Sequence, residues 1–169
     1  LKAAYTMDFS DYGDMSAYRS TLKDAVSTYG ALEVTMQIES DWQASEYYDP
    51  ASFGWRWDGG PDLNHSVTLI GWDDQKQITV KGQTTQGAWL IKNSWGTNFA
   101  DDGFLWIAYD DTTAVREAAA FIAETPRGYE TLYQHQTGSP TGYVGSGPGT
   151  ATQVCSVFTA SQDDSLSAI

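Results

Sequence analysis

The chain has 169 residues, 41% apolar and 14% aromatic with seven tryptophans, the composition of a protein with a packed core rather than of a disordered tract. Nine basic against 22 acidic residues give a formal charge of −13, which repels phosphates and argues against a nucleic-acid surface. No apolar run reaches the about 18 residues that a membrane-spanning helix needs, and a lone cysteine, Cys155, excludes an internal disulfide framework.

The chain opens on "LKAAYTMDFSDYGD", without an initiating Met or a basic head followed by an apolar stretch, so Leu1 reads as a cut edge. Met15, Tyr18, Leu22, Ala25, Val26 and Tyr29 recur at helical spacing, with Asp14 placed to cap the helix and Gly30 to stop it. In the following "ALEVTMQI", alternation puts Leu32, Val34, Met36 and Ile38 on one face of a strand. The aromatic, Gly-rich tract from Ser40 to Asn64, broken by Pro50 and Pro61, reads as long loops. Three strands are expected next, at Ser66–Trp72, Ala88–Asn93 and Phe104–Tyr109, separated by turns rich in Gly, Asp and Asn. "REAAAFIAETP" fits helix or strand. Beyond Pro126 the texture becomes turn-rich, with "QVCSVFTA" as a further strand. A helix feeding antiparallel strands implies an α+β or barrel-like arrangement, with a boundary near residue 120 and an all-β piece beyond.

His65 opens the first of these three strands, Asn93 closes the second, and Trp95 follows two residues later. A thiol nucleophile needs an imidazole to hold its proton and an acceptor to orient the other ring nitrogen. An Asn amide oxygen can be that acceptor, and an indole over the His–Asn bond can exclude water. The spacing of 28 positions from His65 to Asn93 suffices for an outbound strand, a loop and a return. On the residues alone, a histidine at the start of a strand is more often a satisfied structural residue than a catalytic one.

"NHSVTLIGWDD" followed by "GAWLIKNSWGTNFADDGFLWIAYDD" resembles the right-hand half of papain-like cysteine peptidases, with "LKDAVSTYGALEVTMQI" as the preceding helix and strand. The resemblance covers roughly residues 15–110. It implies an α+β fold built on a right-hand antiparallel β-barrel half with a helix. It also implies His65 as catalytic base, Asn93 as its orienting partner, Trp95 as the shielding indole and Ser66 beside a substrate pocket. Beyond residue 115, "AAAFIAETPRGYETLYQHQTGSPTGYVGSG" and "VCSVFTASQDDSLSAI" resemble the lectin-like β-domain of surface-associated members, carried by Tyr129, Tyr133 and "VFTA". The implied organisation is a papain-like C-terminal half-domain over residues 1–115 and a β-rich, incomplete lectin-like domain over 116–169, in a secreted or cell-surface protein.

One part of the family pattern is absent. No cysteine precedes His65, and the Gly-x-Cys-Trp signature that carries the nucleophile in the family does not occur. Cys155, between valines on a β-like stretch, reads as a small buried hydrophobe. The expectation is therefore a part of a cysteine endopeptidase, inactive alone. Its partners would be a Cys-bearing N-terminal domain and a protein or peptide substrate, with no cofactor and no metal. The alternative is a non-catalytic pseudo-peptidase or a module binding a cell-wall glycan or surface protein. The sequon Asn64–His65–Ser66 is set aside because a sugar there would crowd the site. His135, the paired aspartates and "GSGPG" match no zinc, calcium or phosphate pattern.

Overall fold

In the computed structural model the chain divides into two compact units, Leu1–Glu124 and Thr125–Ile169. The structure describes residues 3–60 and 62–123, all in the first unit. The strand expected at "QVCSVFTA", together with Cys155, Tyr129 and Tyr133, lies outside the described residues.

Among the described residues the first unit has one α-helix, α1 (Met15–Tyr29), packed on a sheet of eight strands. The strands in chain order are β1 (Ala3–Asp8), β2 (Leu32–Met36), β3 (Tyr48–Asp49), β4 (Gly54–Trp55), β5 (His65–Val80), β6 (Gln83–Lys92), β7 (Phe104–Ala108) and β8 (Glu117–Ile122). Helix α1 begins where the Asp14 carboxylate accepts from the N–H groups of Ser16 and Ala17, two donors the first turn cannot satisfy itself. It ends at Gly30, whose φ of 89° is open only to a residue without a side chain and whose N–H bonds Val26 O. Tyr18, Leu22, Ala25 and Val26 form its buried stripe. The Tyr18 hydroxyl donates to Arg116 O at 2.9 Å and so ties the helix to the entry of β8. The face expected from the alternation in β2 is the core face: Leu32, Val34, Met36 and Ile38 are all buried.

The expected barrel half is not there. The strands run in the open order β1-β8-β2-β5-β6-β7-β4-β3, so β1 and β3 are free edges, and the β4–β7 pairing is parallel, which makes the sheet mixed. Closure needs strands of matched length, tilt and stagger. Here β3 and β4 contribute two residues each, too few to carry a ladder across to β1. Asp49 on β3 satisfies its carboxylate instead with the N–H groups of Ala51 and Thr79 and the Ser52 hydroxyl.

Three further differences from the sequence reading have local causes. The stretch Asp73–Val80, expected as turn, continues β5 through two register shifts, between Leu69 and Gly71 and between Asp73 and Gln77. The reversal comes at Lys81–Gly82, where both φ angles are positive (52° and 73°), the geometry that matches the twist of a two-residue hairpin. "REAAAFIA" is mostly strand: β8 pairs with both β1 and β2, and its Ala118 and Ala120 are buried. The opening residues, which carried no assignment, form β1.

Candidate active site

The site stands at the end of the sheet where β5 begins and β6 stops. His65 is the first residue of β5 and pairs with Met36, the last residue of β2. Asn93 immediately follows β6, and its N–H donates to Gly103 O at 2.9 Å. The His65 and Asn93 side chains meet, with Nε2 2.8 Å from Asn93 Oδ1. The roles in this bond follow from the second contact of that oxygen, which also accepts from Ser94 N–H at 2.7 Å. An amide oxygen can only accept, so Nε2 carries the proton and, in the neutral ring, Nδ1 carries the lone pair. A neutral ring held in this tautomer can take up a proton at Nδ1 without losing its orienting bond.

Trp95 covers the pair. Its ring lies 4.6 Å from the His65 ring at an interplanar angle of 33°, and it also meets Phe99 edge-on at 5.2 Å and 87°. Phe99 is buried and rests in turn on Trp42 at 4.5 Å. The loop that presents Trp95 folds back on itself: Phe99 N–H bonds Gly96 O and Gly103 N–H bonds Phe99 O. Gly96 and Gly103 both sit at positive φ, and at Gly103 an added Cβ would lie 3.2 Å from Gly96 O. Trp95 itself is 44% exposed, so the indole is supported by Phe99 and still partly open to solvent. Asn93 is 6% exposed, and its Nδ2 has no hydrogen-bond partner among the described residues.

Of the residues singled out from the sequence, the structure brings His65, Asn93 and Trp95 into one cluster. Ser66 follows on β5, exposed and paired with Thr35. Two participants went unrecognised. Phe99, inside the quoted "NSWGTNF", supports Trp95; a second aromatic four residues after an exposed tryptophan was the available signal. Asn64, noted only as a sequon, has its carboxamide bonded to both backbone groups of Ile38, with N–H to Oδ1 at 3.0 Å and Nδ2 to the carbonyl at 2.8 Å. Among the described residues no group of three or more His, Cys, Asp or Glu is placed to hold a metal ion, and no helix is long and apolar enough to cross a membrane.

Residues 2–123 match the sequence profile of papain family cysteine proteases. Mouse cathepsin S is 32% identical over 101 residues, which cover 57% of this chain and 24% of the relative. Falcipain-2b of Plasmodium falciparum is 29% identical over 108 residues, 61% of this chain and 21% of the relative. The chain thus spans about a quarter of the length of these curated relatives. Among solved structures, the clostridial cysteine protease Cwp84 after propeptide cleavage superposes with a TM-score of 0.55 at 25% identity, covering 73% of this chain and 29% of Cwp84. A second structure, of the cysteine protease and lectin-like domains of Cwp84, a surface layer associated protein of Clostridium difficile, gives a TM-score of 0.52 at 28% identity. It covers 64% of this chain and 25% of that one. With its profile match over more than two thirds of the residues, the chain belongs to the papain family of cysteine proteases.

Proposed function

We propose that this chain supplies the base-and-orienter half of a cysteine endopeptidase and has no nucleophile of its own. The observation that carries the reading is the 2.8 Å bond from His65 Nε2 to Asn93 Oδ1 beneath the Trp95 ring. In this reading His65 is the base, Asn93 holds its tautomer and ring plane, Trp95 keeps water from their bond, and Ser66 lies beside the substrate. A cysteine from a preceding domain loses its proton to His65 Nδ1, and the thiolate attacks the peptide carbonyl. As the C–N bond breaks, His65 returns that proton to the leaving amine. Water, deprotonated by the same ring, then attacks the thioester, and the product acid and the thiol leave. Cys155, the one cysteine in the sequence, follows His65 by 90 positions and takes no part in this scheme.

The proposal extends to organisation and place. The likeness to Cwp84, whose described structure joins a protease to a lectin-like domain, supports a β-rich accessory segment after the peptidase half and a secreted or surface location. Pairing of β8 with β1 and β2 favours a boundary on the C-terminal side of Ile122. The same likeness favours a second reading, in which the chain is a pseudo-peptidase and binding of a cell-wall glycan or surface protein is its task.

The test mixes the chain with a separately produced Cys-bearing N-terminal half, using a fluorogenic peptide and an epoxide probe for cysteine peptidases. The chain alone is expected to give no turnover; the mixture is expected to cleave the peptide and take up the probe. Turnover by the chain alone, free of contaminating protease, would sink the missing-nucleophile reading. A stable complex that neither cleaves nor labels would favour the pseudo-peptidase, and retention on cell-wall glycan would then be the assay to run.

A further inference from the structure

An open cleft of about 640 Å³ lies beside the histidine, between the chain leaving β2 and the 3-10 turn Trp42–Ala44. It begins one residue from His65 on both strands. Met36, which ends β2, pairs with His65; the next residue, Gln37, lines the cleft, and so does Asn64 on the other side. The 3-10 turn is tied to the site, because Trp42 packs on Phe99 at 4.5 Å and Phe99 supports Trp95. The lining carries one sign of charge: two carboxylates, Glu39 and Asp41, and no basic residue. Among the described residues neither carboxylate has an ion pair or a hydrogen-bond partner, and Asp41 stands at the capping position of the turn without capping it. Other acids nearby are answered: Glu46 and Asp58 by Lys81, Asp110 by Arg56. Gln37 contributes a further acceptor, since its Oε1 is buried and has no partner among the described residues. An orphaned acceptor is costly, and a donor brought into the cleft relieves it by drawing the carboxamide outward.

We infer that this cleft is a specificity pocket for a cationic side chain of the peptide substrate, lysine or arginine, with Glu39 and Asp41 as its determinants. The inference rests on the reading of His65 as the base and adds the kind of peptide that is presented to it. An extended peptide advances about 3.3 Å per residue, so a side chain within two positions of the scissile bond reaches a cleft that starts one residue from the histidine. A lysine or arginine suits it by shape as well as charge. The aliphatic stem passes along the wall at Ala44, and the head meets the two carboxylates and the Gln37 acceptor. A glutamate in the same place meets two like charges and is rejected, which gives discrimination as well as affinity.

The test has two arms. In the first, blocked peptides that differ only in one central residue (lysine, norleucine or glutamate) are titrated to millimolar concentration into the chain itself and followed by amide NMR. The lysine peptide is expected to shift the amides between Gln37 and Ser45, with a Kd that rises as salt is added. The norleucine and glutamate peptides should leave those amides in place. Glu39→Gln combined with Asp41→Asn keeps the side-chain shapes and is expected to weaken the lysine peptide about tenfold. No shift from the lysine peptide, equal shifts from lysine and norleucine, or a double variant that binds lysine as the native chain does would each overturn the inference. In the second arm the chain is recombined with the Cys-bearing half and given fluorogenic peptides varied one position at a time. Lysine or arginine should exceed norleucine about tenfold in kcat/KM at one position, and the double variant should lose that ratio. Cleavage without such a preference at any position removes the pocket and leaves the peptidase reading standing. Lysine-selective binding by a recombined protein that cleaves nothing keeps the pocket and removes the peptidase reading.

Discussion

The long hairpin of β5 and β6 has two ends, and they are built to opposite rules. At the turn end every charged group is answered. Lys81 Nζ lies 2.9 Å from an Asp58 oxygen, 3.1 Å from a Glu46 oxygen and 3.8 Å from the centre of the Tyr47 ring. Asp49 accepts from three donors, one of them Thr79 on β5. The chain returning from that end toward His65 is clasped at Trp57. Its N–H donates to the Asp111 carboxylate at 2.7 Å, while its carbonyl accepts from Thr112 N–H at 2.9 Å. At the other end, among the described residues, the imidazole has a single orienting bond, Asn93 Nδ2 goes unpartnered and Trp95 stands half in solvent. The contrast lies in the charged groups and not in every polar atom, since Thr85 Oγ1 and Trp55 Nε1 are buried without a hydrogen-bond partner among the described residues.

Substitutions at the two ends should therefore separate stability from chemistry. The largest loss of stability is expected from Asp111→Ala. That carboxylate is 3% exposed and accepts from the N–H groups of Trp57, Thr113 and Ala114 and the Thr113 hydroxyl. Burial pushes its pKa up against the pull of those bonds. Removing it strands buried donors, at a cost of about 4 kcal/mol measured by urea unfolding. An effect under about 1 kcal/mol would mean that water replaces the carboxylate and the clasp is dispensable.

Gly87→Ala comes next, at about 3 kcal/mol. Its φ is 92°, and the new Cβ would lie 2.4 Å from the Tyr109 ring, so backbone strain and overlap add. A smaller loss would show that the ring can swing away from β6.

Asp49→Ala should cost about 2 kcal/mol near neutrality, by unpairing the Thr79 and Ala51 N–H groups. Its dependence on pH has a definite sign. Burial works to raise the Asp49 pKa, but the bonds from Ser52, Thr79 and Ala51 outweigh it and hold the carboxyl below its ordinary value of 3.8. A depressed folded pKa gives stability that is present above the unfolded value and lost as pH falls through the folded one. The difference between native and Asp49→Ala chains should thus be constant above about pH 5 and shrink below 3.8. A gap that instead widens on acidification would contradict the assignment of those bonds.

The smallest thermodynamic effect is expected at the site. Trp95→Ala, 44% exposed, should change stability by about 1 kcal/mol or less while freeing the His65 ring, read as loss of its ring-current shift. If this variant proved as destabilising as Asp111→Ala, the contrast between the two ends would collapse.

Much of the fold was legible because it rests on local chemistry. Asp14 and Gly30 bound a helix wherever they flank such a stripe, and the alternation from Leu32 to Ile38 leaves one face for the core. The hairpin was misjudged because Asp73 and Asp74 resemble a turn in composition. They sit instead beside a register shift, where Asp74 is held by Lys23 and the Tyr109 hydroxyl. The barrel was overturned by the shortness of β3 and β4, which no local pattern announces. Sequence alone determined that His65 begins a strand, that Asn93 follows one, and that an indole lies two residues on, since spacing and alternation are properties of neighbouring residues. Tertiary structure decided that these ends meet at 2.8 Å, that Phe99 supports the indole and that Asn64 fastens the histidine's strand to Ile38. Those contacts join residues up to 28 positions apart, and their geometry is set by the register of the sheet rather than by any residue's own preference.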